Sequence, residues 1–453
     1  MSGDVLSADL AGGGSATSIS RSDHDHDTEY YERAAVDAAI AASSAWGALT
    51  DVPGGFSDGN DDDLLAGLSC SNGQTATFTG GAWACESPAV AGDSSNALAN
   101  LTTTLKSNVA NGQNMVMAVG TDGLPLIAYY DRRTPKVNIV HCTAEDCSTY
   151  DINEQSSTGK AGEYLDMAIG ADGRAVLSLY DNTPTELNLK VMRCADIACT
   201  SSSIVTVDES ADVGQHNSIA IRPNGMPVIS YRNFTDGQLY FAFCKDAACS
   251  TSDLVVVDTL NDPTHTEVII GFDELPMIVY RSNVGQSLHV AHCNDEKCAT
   301  QTSTTLDATT STGEYTATMI GSDGYVAMAY FDATSDSLKV LHCGALDCTT
   351  STTTVADNSG SSGKWPAIIQ GRDGNPLIFF EDKHKTAMRL VKCFNVACTT
   401  SLSKILVSDG VVGRKNVAVL RSDGTPLVVY ENLDNEQLNA LSCANTLCQP
   451  YGG

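Results

Sequence analysis

Positive charge is scarce in this chain of 453 residues: 26 Lys and Arg stand against 55 Asp and Glu, a formal net charge of −29. So acidic a chain repels nucleic acid and anionic membrane surfaces, and neither is an expected partner. The charge is spread along the chain, which reads as a solvated surface rather than a tail. Long apolar runs are also missing: no stretch reaches the roughly 18 residues of a spanning helix, so no membrane insertion is expected. Met1–Ile19 offers Gly, Ser and Asp where a signal peptide has a positive start and an apolar centre. No Ser/His/Asp arrangement or phosphate-binding loop stands out.

Cysteine is present, and it is periodic. Cys142/Cys147, Cys194/Cys199, Cys244/Cys249, Cys293/Cys298, Cys343/Cys348, Cys393/Cys398 and Cys443/Cys448 all read C-x4-C. Successive first cysteines lie 52, 50, 49, 50, 50 and 50 residues apart. A period near 50 marks a stack of equal supersecondary units. Each unit carries a turn of the Gly-x-Asp-Gly kind, such as Gly120–Gly123, Gly321–Gly324 or the variant Arg421–Gly424. An apolar run follows, as in Pro227–Tyr231, then an alternating run into the first cysteine, as in Ser337–Cys343. A Ser/Thr-rich segment after the second cysteine leads to another β-branched run, such as Leu254–Val257. Short runs rich in Val, Ile, Thr, Tyr and Phe, bounded by Gly, Asp, Asn or Pro, are strands.

Four strands per unit, A to D, with no room for a crossover helix, predict antiparallel meanders. Repeated seven times, they predict an all-β, seven-bladed β-propeller. The last unit lacks a fourth strand, while Asn100–Ser107 just before the first unit looks like an orphan one. If that segment completes the last blade, the ring is latched by its own N-terminal end and no sheet edge stays open.

All sixteen cysteines can pair: the seven repeat pairs, plus Cys70 with Cys85. Zinc needs four ligands converging at each site, and here each pair sits in a separate blade with no His at ligand spacing. Disulfides imply an oxidising, extracellular or cell-surface setting. Each is expected to staple the turn from strand C to strand D. With no visible export signal, the expectation is a fragment of a longer chain, a separate secretion route or a phage-type particle.

The first hundred residues differ. Asp23-His24-Asp25-His26-Asp27 is followed by Tyr30-Tyr31, and Glu29–Ala45 is an Ala-rich segment with Val36, Ala39, Ile40 and Ser43 on one helical stripe. That stripe is too small to stand alone; three copies packed as a short coiled coil would bury it. Asp58, Asn60, Asp61, Asp62 and Asp63 offer the hard oxygens calcium prefers, but their spacing fits no helix-loop-helix calcium loop and a solvated turn is the competing reading. Residues 68–85 read as a small β module with Asn72-Gly73 as its turn. The expected domains are therefore 1–45, a trimerisation stem; 46–96, a small β module; and 97–453, the propeller.

Several of these pieces resemble known families. Residues 3–45, with Ser-Gly-Asp-Val…Gly-Gly-Gly at 2–14 and His-Asp-His-Asp…Tyr-Tyr before Ala-Ala-Val-Asp, resemble the stems of phage tail fibres and bacterial tail-fibre-like surface proteins. Residues 46–85 resemble a module of bacterial fibre proteins through Val-Pro-Gly-Gly-Phe-Ser-Asp-Gly. The repeats resemble a secreted bacterial propeller repeat with His before the first cysteine, kept here at His141, His292 and His342 but not at Arg193, Phe243, Lys392 or Ser442. The stem resemblance implies a homotrimer in which His24 and His26 of three chains hold one transition metal such as iron with six imidazoles; solvated loop histidines are the alternative. No cofactor is otherwise expected.

In a propeller the D-to-A and B-to-C connections share one face. Two residues after a Gly (Pro263 in the fourth unit), each D-to-A segment carries a variable residue: Asn114, Tyr164, His216, His265, Tyr315, Trp365 or Lys415. Strand B ends in Asp131, Asp181, Asn233, Ser282, Asp332, Asp382 or Asn432. Aromatic faces cover sugar C–H groups and carboxylates accept hydroxyl hydrogen bonds, so these two sets predict a glycan site. The competing reading of the carboxylates is that each bonds a neighbouring turn. The arginine cluster and Asp-box of sialidases are absent, and the candidate positions are nearly symmetric, whereas catalysis needs one asymmetric constellation. The expectation is thus a non-enzymatic fibre-tip adhesin binding a cell-surface glycan or protein. A filament subunit and a carbohydrate-active propeller enzyme are the alternatives.

Overall fold

A computed structural model describes residues 75–79, 82–86, 99–109, 115–155 and 160–449. The expected stem helix, His24 and His26, the acidic loop at 58–63, Cys70 and hence its bond to Cys85, and Asn114 lie outside the described residues. The chain divides into two units, Met1–Ala97 and Leu98–Gly453. In the first, Thr75–Thr79 and Ala82–Glu86 form an antiparallel hairpin with Thr79 opposite Ala82. Only two residues, Gly80-Gly81, separate these strands, so Asn72-Gly73 precedes the hairpin and does not link it.

The second unit is the seven-bladed propeller: seven antiparallel four-stranded sheets, with no helix among the described residues. Blade 1 is typical, with strands A to D at Met115–Val119, Pro125–Asp131, Lys136–Cys142 and Tyr150–Glu154. Strand B is buried along its whole length in nearly every blade, because its two faces pack against neighbouring blades. Strand D alternates, as in Ser252–Asp258, and leaves Leu254 and Val256 exposed at the rim. The apolar core is accordingly seven clusters, each between adjacent blades. One of them joins Leu427, Val429 and Leu438 of blade 7 to Ile127, Tyr129 and Val140 of blade 1, so the ring closes with the same packing that builds it.

Leu101–Ser107 is strand D of blade 7, antiparallel to Gln437–Ser442 from Leu101 opposite Ser442 to Ser107 opposite Gln437. Asn100 extends the latch: its Nδ2 donates to Cys448 O at 2.9 Å and its Oδ1 accepts from Ala444 N at 3.0 Å.

All seven C-x4-C disulfides form within the C-to-D turns: Cys142–Cys147, Cys194–Cys199, Cys244–Cys249, Cys293–Cys298, Cys343–Cys348, Cys393–Cys398 and Cys443–Cys448. The spacing foretold the pairs but not the state of the second cysteine. A turn residue would be expected at the surface, yet Cys147, Cys199, Cys249, Cys298, Cys348, Cys398 and Cys448 are all buried and belong to the clusters between blades. Each also adopts a left-handed backbone: φ is 56° at Cys147, 52° at Cys199, 55° at Cys249, Cys298 and Cys348, 53° at Cys398 and 50° at Cys448. An L-residue rarely adopts that conformation unless held there. The bond back to strand C holds it and turns the sulfur inward, so the staple is also a core residue.

The residue before the first cysteine pairs with the aspartate of the A-to-B turn: His141 with Asp122 at 2.9 Å, His292 with Asp273 at 2.8 Å, His342 with Asp323 at 2.9 Å, Lys392 with Asp373 at 2.6 Å, and Arg193 with Asp172. Phe243 and Ser442 have no such charge, and in those two blades an arginine opens the turn instead. Arg222 lies 3.8 Å over the Phe243 ring and donates to Cys244 O; Arg421 donates to Cys443 O. One basic side chain per blade therefore ties the A-to-B turn to the stapled one, from either side.

Replacing both Cys244 and Cys249 by Ser should lower stability by about 2 kcal/mol, the entropy of so short a closed loop. Urea unfolding should show the loss as a lower midpoint with an unchanged slope.

Candidate functional site

The innermost strands A line the propeller axis: Met115–Val119, Ala161–Ile169, Val213–Ile221, Pro263–Ile270, Thr312–Ile320, Ser362–Gln370 and Val412–Leu420. From blade 2 onward each carries a bulge at the same place, for example between the pairs Glu163–Tyr180 and Asp166–Ser178. The first bulged residue is left-handed in every case: Tyr164, His216, His265, Tyr315, Trp365 and Lys415 have φ from 49° to 54°. These are the variable residues the sequence singled out, and the bulge re-aims each of them toward the axis.

The local cause lies on either side. Two residues earlier a glycine presses on the preceding blade: a Cβ on Gly214 (φ 101°) would sit 2.8 Å from Leu189 Cα, and one on Gly363 (φ 103°) 2.7 Å from Leu338 Cα. In blades 3, 5 and 7 the residue one later is polar and ties the bulge down. Asn217 Nδ2 donates to Gly214 O at 2.8 Å, Asn416 Nδ2 to Gly413 O at 2.7 Å, and Thr316 Oγ1 to Gly313 O at 3.1 Å.

The six side chains form one continuous crescent. Ring centroids run 4.4 Å from Tyr164 to His216, 5.0 Å to His265, 5.1 Å to Tyr315 and 4.0 Å to Trp365. Lys415 Nζ stands 5.6 Å from the Trp365 ring, within cation–π range. Around them run ion pairs from blade to blade: Arg132–Glu163 at 3.0 Å, Arg281–Glu314 at 3.6 Å and Arg414–Glu381 at 3.1 Å. The crescent lines an axial cavity of about 790 Å³, within the usual range for ligand pockets, about 300–1,000 Å³.

Burial sets the charges here. It holds His216 well below the usual imidazole range, with His265 adding to the effect, and drops His265 to about 4. It raises the phenols of Tyr164 and Tyr315. Lys415 falls to about 7, again through burial, which the carboxylate of Glu431 partly offsets. The five aromatic members of the crescent thus present neutral faces at neutral pH, with Lys415 at one end near its own midpoint.

Asp131, Asp181, Asp332 and Asp382 do not join it. Each is buried in the B-to-C turn of its own blade and none lines the cavity. Asp131 accepts Arg133 N at 2.9 Å, and Asp181 accepts Thr183 N at 2.9 Å and Lys190 Nζ at 2.6 Å. Asp332 accepts Thr334 N at 2.8 Å and pairs with Lys339, while Asp382 accepts Lys385 N at 3.0 Å and Arg389 at 3.3 Å.

Three other carboxyls line the cavity: Glu431, on strand B beside Lys415, and Asp166 and Glu267, both on strands A. Each of the latter two lies two residues beyond its crescent residue, about 6.6 Å along the strand. The equivalent positions in the other blades are Val116, Ser218, Ala317, Ala367 and Val417. An acid among small and apolar residues was the signal in the sequence, visible once the repeats are aligned on the crescent rather than on the cysteines. Burial raises both, and the charge of Asp166 pushes Glu267 further, well above the usual carboxylate range. Among the described residues no three His, Cys, Asp or Glu side chains converge on a metal.

No family model and no curated protein matches the sequence. Similar solved structures include a protein of unknown function from Dyadobacter fermentans (12% identity, TM-score 0.47, covering 75% of this chain and 98% of that one). A Penicillium chrysogenum α-L-arabinanase complexed with arabinobiose is also similar (11%, 0.43, covering 62% and 92%), as is the polysaccharide lyase Uly1 (10%, 0.46, covering 74% and 92%). The expectation of a non-enzyme is corrected here. The symmetry on which the expectation rested is broken by Asp166 and Glu267, and an α-L-arabinanase and a polysaccharide lyase stand among the similar structures.

Two pH dependences follow from the burial. Glu267 keeps its proton longer in the folded state, so wild-type protein should lose stability relative to Glu267→Gln as pH rises from about 4.5, the unfolded value, to neutral. Lys415 gives up its proton sooner, so wild-type protein should lose stability relative to Lys415→Met as pH falls from 10.5 toward 7. Thermal unfolding across pH reads both.

Proposed function

We propose that the propeller is the carbohydrate-recognising head of an extracellular protein and takes a sugar chain on the axial crescent of Tyr164, His216, His265, Tyr315, Trp365 and Lys415. The continuous run of neutral aromatic faces around one cavity carries this reading. Such faces cover the C–H side of a pyranose, and the surrounding Arg and Glu groups hydrogen-bond hydroxyls around it. Seven disulfides suit an oxidising exterior. No helix among the described residues is long and apolar enough to cross a membrane. In this reading residues 1–45 form the trimeric stem, with His24 and His26 holding its metal, and three heads on one stem give an avidity well beyond one head.

The full chain should be retained by at least one polysaccharide of a broad glycan panel. Trp365→Ala should weaken that retention about tenfold, the equivalent of about 1.4 kcal/mol. Phe394→Ser, in an exposed C-to-D turn on the opposite face, should leave it unchanged. A panel that retains nothing, or a Trp365→Ala variant that binds like wild type, overturns the reading.

A further inference from the structure

We propose that the axial cavity cleaves the glycan it binds, with Glu267 as general acid and Asp166 as general base in a hydrolysis of the glycosidic bond. This rests on the carbohydrate reading of the same cavity and deepens it.

The scaffold does not require an acid in this layer: five blades fill it with Val, Ser or Ala, and the tie that Asp166 makes to blade 3 is made from blade 3 to blade 4 by a serine. The surroundings of the two acids also differ in the way an acid and a base require. Asp166 is held as a carboxylate acceptor: its Oδ2 takes hydrogen bonds from Ser218 Oγ at 2.8 Å and Ile219 N at 2.9 Å, and its Oδ1 from Met167 N at 2.8 Å. Ser218 stands on blade 3, between the two acids. Its oxygen accepts from Val268 N at 3.1 Å, which leaves its proton for Asp166. The Glu267 carboxyl makes no hydrogen bond to any described residue, faces the negative charge of Asp166, and lies in a desolvated wall, all of which favour its protonated form.

A second observation points to a ligand. His265 lies two residues before Glu267 on the same strand and lines the same cavity. Its Nδ1 is sealed from solvent and has no hydrogen-bond partner among the described residues. A buried polar nitrogen without a partner is costly, and a turn of the His265 ring at the cavity wall would bring it to a sugar hydroxyl beside Glu267. The crescent then holds the chain by its ring faces while the bond to be broken sits one layer deeper, at the carboxyls.

The step balances with water alone. Glu267 gives its proton to the glycosidic oxygen as the bond from that oxygen to the anomeric carbon breaks, and the bonding electron pair stays on the departing oxygen. The water oxygen bonds to the anomeric carbon and gives a proton to Asp166. One water is consumed and two hydroxyl ends appear; Asp166 then loses its proton to solvent and Glu267 regains one. Direct attack needs room for that water between acid and base, and blade 3 stands between the strands that carry them.

The test uses the full chain and the polysaccharides of the binding panel, reading retention and new reducing ends together. Wild type should release reducing ends from a polysaccharide that it retains, with a bell-shaped pH profile. Asp166→Asn and Glu267→Gln should each lower release about a hundredfold or more, the usual weight of a general acid or base. Both should retain the polysaccharide within about threefold of wild type. Retention without reducing ends above the Asp166→Asn/Glu267→Gln double variant overturns the cleavage and leaves the binding reading intact. Unsaturated ends in place of added water overturn the hydrolytic step. Neither retention nor cleavage anywhere on the panel overturns both.

Discussion

Closure of the ring is the constraint on which the rest depends. Each blade buries its faces only against its neighbours, so a stack with two ends would leave two apolar sheet faces in water. Here the two ends of the repeat region build one sheet, and the cluster between blades 7 and 1 matches those between consecutive blades. With that joint made, the seven strands A stand at fixed positions around an axis. The cavity width, the contact distances in the crescent and the meeting of residues 101 positions apart, Asp166 and Glu267, all follow from it.

Within that frame the bulge separates what repeats from what varies. Its left-handed residue recurs in all six bulges, with a glycine two residues earlier in five of them and an Asn or Thr tether in blades 3, 5 and 7. The left-handed side chain itself does not recur and changes from Tyr to His to Trp to Lys. The layer beneath works the same way, with identical backbone and a side chain that only two blades make acidic. The scaffold is shared by seven units and the chemistry belongs to individual ones.

This division explains what was legible in the sequence. The strands, the turns and the disulfides repeat, repetition announces itself at a period of 50, and the latch shows as the one strand left over from that count. The crescent was legible as well, since a variable residue at a fixed offset from a repeated glycine stands out. The strand-B aspartates misled because an aspartate at a strand end looks alike whether it caps a turn or faces a ligand; only the partners of Asp181 and Asp382 distinguish the two. Asp166 and Glu267 were missed for a related reason. They occupy the only acidic places in a column of Val, Ser and Ala, and two residues of the chain's 55 acids carry no mark until the bulge fixes which column faces the axis. The basic residue before the first cysteine shows a further limit: Phe243 and Ser442 look like departures from the repeat, yet Arg222 and Arg421 reach the same turn from the other side.

The stapled turns also bear on how such a chain acquires its bonds. The fourteen propeller cysteines allow a very large number of pairings, but each native partner is 5 residues away, while the nearest wrong partner in a neighbouring blade is 44 to 47 residues away. For a flexible chain the difference in closure entropy favours the native partner by about 2 kcal/mol, or about thirtyfold in encounter. Oxidation can therefore run blade by blade, in the order the chain emerges into an oxidising space. It needs neither the closed ring nor a shuffling step to reach the right set.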